Sequence, residues 1–122
     1  MAPTTASNEV AQRLGVTQHR LGDVCVIEVV GELDLWTAPA LCTWIADAGE
    51  RVLIDVSRLQ MCDSTGLRAL SRAVRERRIE CARVQVLAPT LSGPARAFEA
   101  AGTGAALPLA GDLDEALARL NG

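Results

Sequence analysis

Aromatic residues are nearly missing from this chain: one phenylalanine, two tryptophans and no tyrosine in 122 residues. Any core must therefore be aliphatic, and at 49% apolar residues the chain has enough Val, Leu, Ile and Ala to build one. Aliphatic runs of this kind suit buried parallel strands covered by helices. Histidine occurs once, at His19, and Cys25, Cys42, Cys62 and Cys81 form no C-x-x-C pair. That set is too poor in ligands for a zinc site, so neither a metal nor a cofactor is expected. The thiols read as reduced and mostly buried, as in a cytoplasmic protein. A basic surplus is missing too: twelve Lys and Arg face fifteen Asp and Glu, a net charge of −3 that argues against a nucleic-acid partner. No run approaches the roughly 20 apolar residues of a membrane span, and residues 1–11 lack the basic start and apolar stretch of a signal peptide. The glycine patterns of P-loop and Rossmann sites are absent, as is the G-x-S-x-G elbow of hydrolases. With His19 isolated, no general base stands near any nucleophile, and catalytic activity is not expected.

What is present is an alternation of short apolar runs and amphipathic stretches, and the length fits one domain. Residues 1–11 read as a flexible tail and residues 12–122 as the domain. Arg13 to Arg20 and Val24 to Val30, joined through Gly22-Asp23, read as a β-hairpin. Thr37-Ala38-Pro39 opens a helix whose Leu41, Trp44, Ile45 and Ala48 share one side. A strand over residues 52–56 leads to a helix starting near Ser64, with Leu67, Leu70 and Val74 inward and Arg68, Arg72, Arg75 and Glu76 outward. A strand over 83–88 follows, then a helix from Ser92-Gly93-Pro94 to Gly102 and a weaker strand over 106–109, where Pro108 suits only an edge or an end. Asp112 to Glu115 resembles a capping box ahead of a final helix carrying Leu113, Ala116, Leu117 and Leu120. The pattern implies a small α/β domain: a mixed sheet with an N-terminal hairpin, parallel where helices make the crossovers, and about four helices.

The passage from Val52-Leu53-Ile54-Asp55-Val56 through Cys62 to Asp63-Ser64-Thr65-Gly66-Leu67 is the most informative one. It sets a hydroxyl at the mouth of a helix with a carboxylate beside it. A helix N-terminus offers unpaired backbone N–H groups and the positive end of a dipole, so a phosphate on Ser64 is tolerated there. That phosphate adds about −1.5 to −2 of charge to the surrounding surface.

Three stretches together, Gly31-Glu32-Leu33-Asp34 with Thr37-Ala38-Pro39, Leu53-Ile54-Asp55-Val56-Ser57, and Asp63-Ser64-Thr65-Gly66-Leu67, resemble the STAS domain family. Within it they are most similar to the bacterial anti-sigma factor antagonists. The resemblance spans roughly residues 13 to 120. It implies that Ser64 is phosphorylated, with Thr65 the second choice. It implies as partner an anti-sigma factor with serine kinase activity, which the unphosphorylated form binds so that the sigma factor is freed. Phosphorylation breaks that association, and a serine phosphatase restores it by returning the unphosphorylated form. Asp34, Asp63, Ser64, Thr65, Gly66 and Arg68 become the expected partner-binding residues, on a monomeric binding module that does not insert into membranes. The chain departs from the family pattern at Cys62, where a larger aliphatic residue is common, and at Thr65, which replaces a second serine. Neither departure removes the acceptor.

Each residue also has a plainer reading. Ser64 can serve simply as the helix N-cap, and Asp63 as a favourable charge at the dipole. Gly66 can be a turn residue, Asp34 a loop residue, and Asp55 a buried carboxylate with a hydrogen-bond partner. Trp36 reads as core, with a partner anchor as the alternative. The arginine face reads as solvated. A rival function is a STAS scaffold that is not phosphorylated, such as an accessory subunit of a transporter or signalling complex.

Overall fold

The computed structural model describes residues 13–89, 93, 96, 98 and 107–122. The expected tail lies outside the described residues, as does most of the expected helix between Ser92 and Gly102, of which Gly93, Arg96 and Phe98 are helical. Strands β1 (Leu14–Leu21) and β2 (Val24–Leu33) form the expected hairpin, with Leu21 opposite Val24 across the Gly22-Asp23 turn. Helix α1 (Ala38–Asp47), strand β3 (Arg51–Cys62), helix α2 (Ser64–Ile79), β4 (Arg83–Leu87), β5 (Leu109–Ala110) and α3 (Leu113–Asn121) follow. The sheet order is β1-β2-β3-β4-β5, antiparallel at the hairpin and parallel thereafter.

Parallel strands added one after another in a single direction, through crossovers of one hand, place their helices on one face. Cys25, Ile27 and Val29 of β2 and Val52, Ile54 and Val56 of β3 accordingly share a core with Leu41 and Ile45 of α1 and Leu67, Leu70 and Val74 of α2. Phe98 joins it, fully buried. Alternate residues point the other way. Val24, Val26, Leu53, Leu87 and Ala110 form a smaller core under Ala116 and Leu120 of α3. Asp112 caps α3, its carboxylate accepting from Glu115 N at 2.8 Å, while the Glu115 side chain accepts from Gly111 N, one residue before the cap.

β3 is much longer than the expected 52–56 run. Register shifts near Glu28/Val30 and Gly31/Glu32 let it stay paired with β2 as far as Leu33 opposite Cys62. The last strand is shorter than expected and starts just after Pro108, consistent with proline's missing N–H. Of the four thiols only Cys25 is fully buried; Cys42 and Cys62 are half-buried and Cys81 is exposed, so burial of the cysteines was overestimated. Arg77, at the end of α2, is half-buried. Its guanidinium donates to the Ala48 and Gly49 carbonyls at the end of α1 and pairs with Glu80 at 2.9 Å, tying the two helices together. The rest of the outer face of α2, Arg68, Arg72, Arg75 and Glu76, is exposed as expected.

Candidate functional site

The ends of β2 and β3 meet where two loops leave the sheet, and the meeting is held by backbone. Asp63 N donates to Leu33 O at 3.2 Å, and the first turn of α2 lies on the β2 end. Gly66 makes that contact possible. A Cβ there would stand 2.4 Å from Leu33 O and 2.7 Å from Leu33 C, distances at which the backbones must separate. Gly66 is buried, so the close approach it allows is to the chain itself and not to an incoming partner.

Asp63, not Ser64, is the N-cap of α2. Its backbone is extended, and its carboxylate accepts from Gly66 N at 2.8 Å, while Leu67 N donates to Asp63 O at 2.9 Å. Both residue types cap well, and β3 running on to Cys62 places Asp63 at the junction. Ser64 is consequently the first helical residue, exposed, and among the described residues nothing bonds its hydroxyl. Thr65 and Arg68 are exposed alongside it, Arg68 one helical turn further on. The Ser64 and Thr65 amides belong to the unpaired donors that every helix start presents.

Asp34 stands otherwise than the sequence suggested. It is 6% exposed and lies inside the loop between β2 and α1. Its carboxylate accepts from Trp36 N at 2.9 Å and Thr37 N at 3.0 Å, and its other oxygen from the Arg13 guanidinium. Thr37, fully buried, accepts from Asp34 N at 2.9 Å and donates through Oγ1 to Glu32 O at 2.8 Å. Arg13 also reaches Glu32 at 3.5 Å. Gly31, at φ 112°, lets the Arg13 backbone pass, since a Cβ there would lie 2.1 Å from Arg13 O. Asp34 is therefore a brace under the site, its carboxylate covered and fully engaged within the chain. Asp55 is half-buried instead of buried, but has a partner as expected, accepting from Ser57 N and Oγ at 2.9 and 2.6 Å.

With the inside of that loop filled by Asp34 and Thr37, its apolar residues turn outward. Trp36 is 72% exposed and Leu35 59%, so Trp36 is not a core residue. Met61, opposite Glu32 in the register and three residues before Ser64, is exposed too. Trp44 does pack against the main core. Burial, and then the charge of Asp63, push the half-buried Cys62 thiol up to about 11, which makes it a poor nucleophile at neutral pH. No cluster of His, Cys, Asp and Glu that could hold a metal exists among the described residues.

A family model described as "Mlab, STAS domain" matches residues 16–109. The chain belongs to the STAS domain family. Among solved structures it is similar to an anti-sigma factor antagonist from Mycobacterium paratuberculosis, at 27% identity over 99% of this chain and 98% of that one, with a TM-score of 0.77. It is similar also to an antisigma-factor antagonist STAS domain from Rhodobacter sphaeroides, 31% identical over 61% of this chain and 85% of that one, with a TM-score of 0.53. The phosphorylated form of the Bacillus cell fate determinant SpoIIAA shares the fold at 22% identity, covering 86% of this chain and 98% of that one with a TM-score of 0.60. No curated protein sequence matches this STAS chain. No helix among its described residues is long and apolar enough to cross a membrane.

Proposed function

We propose that this STAS protein is an anti-sigma factor antagonist, a cytoplasmic, monomeric binding module switched by phosphorylation of Ser64 and without catalytic activity of its own. One observation carries the reading. Asp63 takes the capping role, so the Ser64 hydroxyl is exposed and unengaged at the first position of α2 and its modification costs the helix no cap. The similarity to antagonists from Mycobacterium paratuberculosis and Rhodobacter sphaeroides supports the same role. The partner is an anti-sigma factor with serine kinase activity, which the free form binds; a serine phosphatase reverses the modification.

The electrostatics favour an interface effect over a change of fold. A phosphate at a helix start gains about 0.3–1 kcal/mol from the dipole. Repulsion from the neighbouring Asp63 carboxylate, for a phosphate of about −1.5 to −2 in water, costs on the order of 1 kcal/mol. The two nearly cancel, so α2 stays in place. Against a docked partner the same phosphate has to be desolvated without a matched cation. A change of about 2–3 kcal/mol weakens binding roughly 30- to 150-fold, enough for a switch.

Affinity for the purified kinase, measured calorimetrically, tests this. Ser64→Ala binds like the unmodified protein and Ser64→Glu at least about 30-fold more weakly. Equal affinities would refute the switch. Tight binding of both variants to a membrane ATPase instead would establish the scaffold reading.

A further inference from the structure

We propose that Leu35, Trp36 and Met61 form the apolar anchor by which the unphosphorylated protein holds the kinase that acts on Ser64. The inference rests on the function proposed above and adds the residues that supply affinity. Outward exposure of these side chains is fixed by the fold. Asp34 accepts from Trp36 N and Thr37 N, and Thr37 locks onto Glu32 O, so the loop has no room to turn Trp36 inward. Met61 projects from the end of β3, paired with Glu32 of the neighbouring strand. Three large apolar groups are thus presented to solvent on braced backbone, at the cost of keeping them wet.

Their position names the occupant. Gly66 touches the Leu33–Asp34 backbone, Trp36 is two residues beyond Asp34, and Ser64 is two residues before Gly66. Two residues of chain span at most about 7 Å. Ser64 and Trp36 thus lie within about 18 Å of each other along the backbone, well inside the area that a protein seated on Ser64 buries. A second copy of this chain is the weaker fit. A stable interface buries on the order of 1,200–2,000 Å² in total, whereas one tryptophan and two aliphatic side chains supply only a few hundred. The patch is an anchor within a larger contact, of the kind in which a central tryptophan carries much of the affinity. The partner it fits has an apolar pocket beside its active-site cleft. Trp36 and Leu35 then hold the partner while Ser64 decides whether the hold survives.

The test uses full-length protein and each purified serine kinase of the anti-sigma class from the source organism. Kinase affinity and the kinetics of phosphate transfer are measured for wild type, Leu35→Ala, Trp36→Phe and Trp36→Ala. Trp36→Ala is expected to weaken binding at least about 30-fold, Trp36→Phe less, and Leu35→Ala by an intermediate amount. Transfer to Ser64 should show a raised KM with kcat retained, a split that a misplaced Ser64 would not give. Unchanged affinity for Trp36→Ala, with wild type bound and phosphorylated, overturns the anchor and leaves the switch standing. Sedimentation showing a wild-type dimer that Trp36→Ala dissolves, with kinase binding intact, overturns it in favour of a second copy. If no kinase of the class binds or modifies wild type, the proposed function itself falls and the anchor with it.

Discussion

Gly66→Ala separates helix propensity from packing within one methyl group. In an ordinary helix the change stabilises, by up to about 1 kcal/mol. Here the added Cβ would lie 2.4 Å from Leu33 O, 2.7 Å from Leu33 C and 3.0 Å from Asp34 N. All three are backbone atoms, so no side chain can swing aside; α2 must lift off the β2 end. Overpacking of this kind costs about 1–3 kcal/mol. Lifting the helix also strains the Asp63 N–Leu33 O bond, and a backbone hydrogen bond contributes about 1 kcal/mol net. Offsetting the propensity gain, the net loss is about 2 kcal/mol. With a urea m-value of about 1.5 kcal/mol per M, the midpoint falls by roughly 1.3 M. Equilibrium urea unfolding followed by circular dichroism reads this directly. An unchanged or raised midpoint would mean that the first turn of α2 does not rest on Leu33 and Asp34, and the account of how Ser64 is positioned would fail.

Asp34→Ala should lose about 2–4 kcal/mol in the same assay, because it leaves the Trp36 and Thr37 amides in a covered loop without an acceptor; a stability-neutral variant with weakened partner binding would put Asp34 on the contact surface. Cys81 follows α2 at φ 71°, with Cys81 N on Arg78 O and Ala82 N on Arg77 O, the bonding of a helix end that favours glycine. Cys81→Gly should therefore stabilise by about 1 kcal/mol, seen as a higher Tm; a lower Tm would show that the left-handed backbone costs nothing there. Thiol labelling at pH 8 should modify exposed Cys81 first, half-buried Cys62 far more slowly, and fully buried Cys25 only on unfolding. Burial and Asp63 leave roughly one Cys62 thiol in a thousand ionised at that pH, so fast labelling of Cys62, mapped by peptide mass, would contradict its environment.

The order of strands and helices was legible because each element carries its own period: Cys25, Ile27 and Val29 alternate, and Leu67, Leu70 and Val74 recur at helical spacing. The strand-to-helix junction at Asp63-Ser64 was legible for a related reason, since the apolar alternation of β3 gives way there to helical spacing. What escaped depends on contacts between residues far apart in the chain. Asp34 looks like a loop carboxylate until Arg13, 21 residues earlier, is brought beside it by β1 pairing. Trp36 looks like core until Asp34 and Thr37 fill the space behind it. Arg77 reads as one more surface arginine, because the α1 carbonyls it caps are 28 and 29 residues away. Ser64 and Asp63 are equally good caps by composition, and only the bulges that carry β3 to Cys62 decide between them.

Phosphosite mapping tests the central claim most directly: the protein is incubated with ATP and its purified anti-sigma kinase, then digested for peptide mass spectrometry while the complex is followed by size exclusion. The account predicts a single phosphate on Ser64 and release of the complex in step with its appearance. A complex that stays intact with no phosphate on Ser64, or one that survives full phosphorylation there, would contradict it.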